Sequence, residues 1–238
     1  MIVLRALLFN LVLFLSGAVF LSLSLPALLM PRRFTILVGD IWFAFLLAAL
    51  RIICGISHEI RGLENIPDTP CIIAAKHQSA WDTFAFVTFI EDAAYVIKQE
   101  LTRIPVYGWL LIKAAMVPVD RAAGAKALRN MIRTARSRMA AGRHIVIFPE
   151  GTRTAPGQRR SYLPGVAALY SQLGVPVVPV ALNSGLFWPR RAFLKRPGHI
   201  VVEILPPIPS GLPRREFMER LQSAIEDASV RLCGLDHA

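Results

Sequence analysis

The alternation of apolar and polar positions divides the chain into two textures that meet near residue 56. Residues 6–30 carry no charge, and as a helix they would extend about 37 Å, more than the roughly 30 Å of a bilayer's hydrocarbon core. This predicts a spanning or deeply inserted helix, closed by the turn and two charges of Pro31-Arg32-Arg33. Arg5 alone is a weak basic flank and Ser24-Leu25-Pro26-Ala27 a poor cleavage site, so the segment reads as an anchor rather than a signal peptide. The next apolar stretch, Phe34 to Leu50, contains Asp40; weak spanning, an interfacial position and a folded-back hairpin are all open to it. Beyond Ile56 come short apolar runs separated by turn residues. Strands are predicted at 71–75, 94–98, 116–119, 144–148, 177–182 and 200–205, with a weaker alternation over Ser57 to Arg61. Helices are predicted at 80–91, 107–114, 123–141, 163–173 and 213–232. The pattern predicts an α/β fold: a mostly parallel central sheet with helices on both faces, preceded by an N-terminal hydrophobic helical membrane anchor. The boundaries that follow are 1–56 for the anchor and 57–238 for one α/β domain.

Composition sharpens this picture at three points. The 238 residues are 54% apolar and carry a net charge of +11, from 27 basic and 16 acidic side chains. Such an excess attracts polyanions: nucleic acid, anionic lipid, a phosphorylated small molecule or an acidic carrier protein. Nucleic acid is disfavoured, because aromatic stacking positions are not interleaved with the basic ones and no recognition motif is present. Three cysteines, Cys54, Cys71 and Cys233, lack metal spacing and read as reduced thiols. The histidines, His58, His77, His144, His199 and His237, lack the paired spacings of zinc ligands, so no metal site is expected. The clearest amphipathic helix, 123–141, has one stripe of Leu128, Met131, Ile132, Ala135 and Met139 and another of Lys126, Arg129, Arg133 and Arg136. The basic stripe is either a solvated face or a landing strip for anionic headgroups or an acidic acyl carrier. The C-terminal helix, with Phe217, Leu221, Ile225, Ala228 and Leu232, reads as ordinary packing.

Candidate chemistry sits where predicted strands end, the usual place for it in open α/β sheets. The first such end is Lys76-His77-Gln78-Ser79-Ala80-Trp81-Asp82. His77 and Asp82 would be about 140° apart on a continuous helix, so a turn must bring them together. Ser79 and Asp82 have the spacing of a helix start, with Ser79 as N-cap. Asp82 can then reach one imidazole nitrogen of His77, fixing the tautomer and leaving the other nitrogen to take a proton from a hydroxyl. An isolated pair of this kind is more often a buried, hydrogen-bonded histidine beside a cap, and the other strand ends decide between the two. The second end is Pro149-Glu150-Gly151-Thr152-Arg153. Gly151 permits close backbone approach, Thr152 offers a hydroxyl, and Arg153 presents a fork suited to phosphate oxygens. Glu150 either holds Arg153 or accepts a hydrogen bond from a ligand hydroxyl. The third is Val119-Asp120-Arg121. In one parallel sheet these ends converge, and His77, Arg121 and Arg153 are expected to face a common crevice. Val175-Pro176-Val177-Val178-Pro179-Val180 has prolines three apart, which suggests an edge, a bulge or the wall of an apolar channel.

Taken in order, the blocks His77-x4-Asp82, Val119-Asp120-Arg121, Phe148-Pro149-Glu150-Gly151-Thr152-Arg153 and Val175-Pro176-Val177-Val178-Pro179, together with Gly62-x-Glu64-Asn65-Ile66-Pro67, cover most of residues 57–183. The ordered set resembles the glycerolipid acyltransferase family, specifically the lysophosphatidic acid acyltransferases. The resemblance implies an acyltransferase catalytic domain at 57–238, with His77 as general base and Asp82 as its orienting partner. It implies an acceptor and phosphate site of Arg121, Glu150, Gly151, Thr152 and Arg153. It further implies no cofactor, an acyl thioester on coenzyme A or acyl carrier protein as co-substrate, a lysophospholipid acceptor, and a membrane-anchored enzyme of phospholipid biosynthesis. If only the first segment spans, the heavier positive flank of Arg32, Arg33, Arg51 and Arg61 places the catalytic domain on the cytoplasmic face, at the inner membrane in a bacterium. Two departures from the family pattern are Lys76, where asparagine is common, and Lys113-Ala114-Ala115-Met116, which lacks a frequent glycine.

Rival readings are an acyltransferase for another acceptor such as a lyso-aminolipid, a lipid hydrolase with Ser79 as nucleophile, and a basic membrane-anchored binding protein. The hydrolase is disfavoured because Ser79 lacks a strained G-x-S-x-G setting.

Overall fold

The apolar runs become the inner strands of a seven-stranded sheet. The structure, a computed structural model, describes residues 1–235; residues 236–238, His237 among them, and the side chain of Arg121 lie outside the described part. Two apolar helices come first, α1 (Ile2–Leu23) and α2 (Arg32–Ala49). They are followed by β1 (Ile56–Arg61), β2 (Ile72–Ala75), α3 (Trp81–Phe89), β3 (Ala94–Lys98) and α4 (Tyr107–Lys113). The remainder is β4 (Val117–Val119), α5 (Gly124–Ala140), β5 (Ile145–Ile147), α6 (Pro164–Leu173), β6 (Val177–Leu182), β7 (Gly198–Ile204) and α7 (Arg214–Leu232).

The sheet order is β1-β7-β6-β2-β5-β3-β4. Every pairing is parallel except β6 with β7. β2 lies between β6 and β5 with all four residues fully buried, which is why Ile72-Ile73-Ala74-Ala75 reads as a continuous apolar run rather than an alternation. The weak alternation at Ser57 to Arg61 is the edge strand β1, paired with β7. Side chains on opposite faces of β2 feed two separate cores. Ile73 and Ala75 pack with Phe9, Leu47, Trp81 and Phe86 from α1–α3; Ile72 and Ala74 pack with Met131, Val166 and Phe217 from α5–α7. The hydrophobic helices and the amphipathic helix α5 therefore lie on opposite sides of the sheet.

Two expectations change. The proline-rich strand β6 is central, not an edge, and its Pro179 is accommodated by the bulge alternative. Between the bridge Val177↔Ile208 and the pair Val180↔Ile204 the register slips by one residue. Leu205 donates to the Pro179 carbonyl there (2.9 Å), so no ladder bond is asked of the proline nitrogen. At the N-terminus, α2 starts at Arg32 instead of after a turn at 31–33. Arg32 forks onto Asp92 in the turn after α3, the same turn that Arg143 ties down through the carbonyls of Asp92 and Ala93. Within the chain α2 folds back on α1 as a hairpin. Phe20 stacks on Trp42 at 4.4 Å, and the Trp42 indole donates to Ser16 Oγ (3.2 Å).

Candidate active site

β2, β5, β3 and β4 run parallel, so their C-terminal ends open on one rim. At the end of β2 the chain crosses residues 76–80 before entering α3, and a buried carboxylate shapes that crossing. Asp82, fully buried in the first turn of α3, lies 2.8 Å through Oδ2 from His77 Nδ1. The same oxygen accepts the main-chain N–H groups of Gln78 (2.8 Å) and Ser79 (2.9 Å), and Oδ1 accepts the Ser184 hydroxyl. The donors of residues 77–79 are thus drawn onto one carboxylate, and helical geometry begins only at Ala80. Ala80, not Ser79, is consequently the N-cap residue. Ser79 is fully buried and its hydroxyl accepts the Trp81 N–H (3.1 Å). Gly185 closes the loop from above: its N–H donates to Gln78 Oε1 (3.0 Å), and a Cβ there would come within 2.9 Å of Gln78 Cβ and Pro156.

The imidazole of His77 stacks on Phe148 (4.1 Å, 20°), the residue that follows β5. Its main chain is held by the next loop, with N–H donating to Glu150 Oε2 (3.0 Å) and C=O accepting from Thr154 N–H (2.7 Å). The ring borders a cavity of about 920 Å³ whose walls include Tyr95, Ile97, Leu101, Val119, Leu128 and Met131. Among the described residues its charged lining is Lys98, Arg153, Arg190 and Arg191, and no described lining residue is a carboxylate. Burial draws the Arg153 guanidinium below its usual range, opposed by nearby Asp82 and reinforced by Arg190.

The structure brings together His77, Asp82, Gly151, Thr152 and Arg153; Gly151 turns in the left-handed region at φ +68°. Arg121 opens the turn after β4, and its side chain lies outside the described part. Glu150 is not among the residues lining the cavity, and its carboxylate is taken up by Lys76 and the His77 amide rather than by Arg153. It is buried beneath the His77 loop, with Oε1 on Lys76 Nζ (2.8 Å) and Oε2 on the His77 amide (3.0 Å). Lys98, Arg190 and Arg191 were not picked out in the sequence, although Lys98 ends β3 and the strand-end rule reaches it. A thiol–imidazole contact elsewhere, Cys71 Sγ to His144 Nδ1 (3.2 Å), supplies no nucleophile: burial pushes the Cys71 thiol up to about 12, and neither residue borders the cavity. Among the described residues no group of His, Cys, Asp and Glu side chains is arranged to hold a metal.

Three comparisons with known proteins bear on this geometry. The acyltransferase family model matches residues 57–183. A 1-acyl-sn-glycerol-3-phosphate acyltransferase of Pseudomonas aeruginosa is 38% identical over 205 residues, 85% of this chain and 79% of that protein. The chloroplastic 1-acyl-sn-glycerol-3-phosphate acyltransferase BAT2 of Brassica napus is 29% identical over 63% of this chain, which spans only 43% of that protein. Among solved structures, the 1-acyl-sn-glycerophosphate (LPA) acyltransferase PlsC of Thermotoga maritima has the same fold, with a TM-score of 0.78, 23% identity and 98% of both chains covered. Matched by the family model across more than half its length and by the Pseudomonas relative across most of it, the chain belongs to the acyltransferase family.

Proposed function

We propose that this acyltransferase moves a fatty acyl group from an acyl thioester to the free hydroxyl of lysophosphatidic acid, yielding phosphatidic acid for phospholipid biosynthesis. One observation carries the reading: an imidazole oriented by a buried carboxylate borders a large, mostly apolar cavity whose charged lining, among the described residues, is cationic. With Nδ1–H donating to Asp82, His77 Nε2 is free to take the proton from the acceptor hydroxyl as that oxygen attacks the thioester carbonyl. The carbon–sulfur bond breaks, the thiol leaves, and no acyl-enzyme forms. Arg153, with Thr152 and the backbone at Gly151, receives the acceptor phosphate; Lys98, Arg190 and Arg191 add to the positive field. Arg121 belongs to the same set by its place after β4. Coenzyme A or acyl carrier protein delivers the thioester, and no cofactor takes part.

A lyso-aminolipid acceptor is the second acyltransferase reading, disfavoured by four cations without a carboxylate among the described lining residues. Hydrolysis through Ser79 is disfavoured by its burial and by its hydroxyl's bond to the Trp81 amide. The hairpin α1–α2 serves as the membrane anchor of residues 1–56. Phe9 is fully buried against Trp188, and Lys195 Nζ binds Asn10 Oδ1 (2.6 Å) midway along α1, so the helices stay docked on the catalytic domain of 57–238 and insert from one side. That side is the cytoplasmic one, where Arg32, Arg33 and Arg51 remain in the positive-inside sense.

The test is transfer by detergent-solubilised protein from a radiolabelled acyl thioester, on coenzyme A or acyl carrier protein, to lysophosphatidic acid and to neutral and amino-acid-based lyso-lipids. Fastest product from lysophosphatidic acid is expected, with His77→Ala lower by about 10² to 10⁴. Transfer only to phosphate-free acceptors overturns the acceptor, and an unaffected His77→Ala overturns the base.

A further inference from the structure

Behind His77, on the side away from the cavity, an amine and two carboxyl side chains are buried together. Lys76 is 1% exposed, and its Nζ is within 2.8 Å of Glu150 Oε1 and of both oxygens of Glu226, with the Gln158 carbonyl at 3.3 Å. Tyr162 donates its hydroxyl to Glu226 Oε1 (2.9 Å). Lys76 directly follows β2, and its own N–H is fixed to the Val180 carbonyl (2.9 Å), so the side chain has a firm base. Glu226 comes from α7, beyond the segment that the family model matches.

The cluster reaches the site through a single carboxylate. Glu150 uses one oxygen for Lys76 and the other for the His77 amide, while Thr154 N–H holds the His77 carbonyl. Both main-chain polar groups of His77 are therefore fixed by the loop 149–154, and the rotation of Glu150 within that loop is fixed by Lys76. Lys76 in turn is centred between two carboxylates. Without Glu226 its remaining partners would be Glu150 and the longer contact to the Gln158 carbonyl, so it would pull harder on Glu150 and turn it away from the amide, since a buried charge follows whichever partner remains.

We propose that Lys76 and Glu226 are positioning residues for acyl transfer: they orient Glu150 so that it holds the His77 amide, which makes α7 part of the catalytic apparatus. The inference rests on the reading of His77 as the base. The test is steady-state kinetics on the full chain in detergent, well below every variant's melting temperature. Glu226→Leu is expected to lower kcat about 10- to 100-fold, the cost of a slightly misplaced base, with both KM values within about twofold. Glu226→Gln keeps the shape and one acceptor, and is expected to lose about 3- to 10-fold in kcat alone with its fold retained. Ile225→Ala, on the same helix but facing the core, is the stability control: a lower Tm with unchanged kcat. Because Glu226 acts through Glu150, adding Glu226→Leu to Glu150→Ala is expected to cost less than about twofold more. Losses that multiply in the double variant, or a kcat within twofold of wild type in Glu226→Gln, overturn the proposal; if Glu226→Leu does not fold, Glu226→Gln decides alone. Run in parallel, His77→Ala separates the two levels. Its inactivity beside an unaffected Glu226→Gln removes only this inference, whereas an active His77→Ala removes the base assignment and this inference with it.

Discussion

At position 153 a guanidinium and an ammonium are not equivalent. Arg153 borders the cavity half-buried, with its pKa lowered by burial, so it meets a ligand partly stripped of water. A planar fork can hold two phosphate oxygens at once, and lysine offers one point charge. For Arg153→Lys the expected outcome is a rise of about tenfold in the KM for lysophosphatidic acid, equivalent to the roughly 1.4 kcal/mol of one charge-assisted hydrogen bond, with kcat nearly unchanged. Equal KM values for wild type and variant would remove Arg153 from the acceptor site. At this scale, legibility followed sequence distance. His77 and Asp82 are five residues apart, and one turn suffices to join them, so spacing alone exposed the pair. Lys76 and Glu226 are 150 residues apart, and nothing local to either announces the other. Glu150 misled for the same reason: its neighbour in sequence is Arg153, but its partner in space is Lys76.

Element by element, the inner strands and amphipathic helices were readable because burial on both faces or on one stripe leaves its period in the sequence. Pairing order was not readable. The antiparallel return from β6 to β7 pairs residues about 20 apart with no tight hairpin signal, and the place of β1 beside β7 depends on contacts more than a hundred residues apart. Whether the basic stripe of α5 has a partner also depends on placement. Lys126, Arg129, Arg133 and Arg136 are exposed, across the sheet from the apolar hairpin, while Ala127, Leu128 and Met131 of the same helix line the cavity. That arrangement favours an acidic soluble carrier over the membrane surface. The double variant Arg129→Glu/Arg133→Glu is expected to raise the KM for acyl carrier protein thioester about tenfold, leaving that for acyl-coenzyme A within about twofold. No change with either donor would reduce the stripe to a solvated face. A second consequence belongs to the start of β5. His144 Nδ1 accepts the Cys71 N–H (3.3 Å), and burial lowers the His144 pKa, as it does that of His58. On acidification the unfolded chain takes up these protons first, so the stability they contribute is complete above about pH 6.5 and is lost as pH falls through the folded-state values. Tm measured from pH 7.5 down to pH 5 is expected to drop, and the drop to be smaller in His144→Asn, which keeps an acceptor without a titrating nitrogen. A parallel decline in wild type and variant would assign the acid sensitivity elsewhere.

On the proposed reading the whole molecule has to present two unlike substrates to one rim: a thioester whose carrier is water-soluble and a lyso-lipid that resides in a bilayer. The hairpin supplies the second approach. α1 buries little beyond Ala6 and Phe9, while Leu7, Leu11 and Phe14 point outward, Phe14 at 73% exposure. A soluble domain gains nothing from such a surface, whereas a bilayer takes it up readily. The charge-free run of residues 6–30 reads as membrane-seeking, but nothing in it marks α1 as a docked helix. Asn10, the polar group that meets Lys195 and pins α1 to the domain, is one residue in an otherwise apolar run, and its partner lies 185 positions away. Docking also makes the anchor separable from the chemistry. Leu11→Glu/Phe14→Glu places two carboxylates on the outward face, where they touch no core residue, yet each would oppose insertion by up to about 3 kcal/mol at full depth. The double variant is therefore expected to shift from the vesicle-bound to the soluble fraction in sedimentation, retain wild-type kcat on detergent-dispersed lysophosphatidic acid, and lose activity on the same acceptor presented in vesicles. If it remained vesicle-bound, insertion through the outer face of α1 would be excluded; if it lost activity in detergent as well, the hairpin would be part of the catalytic fold rather than its tether.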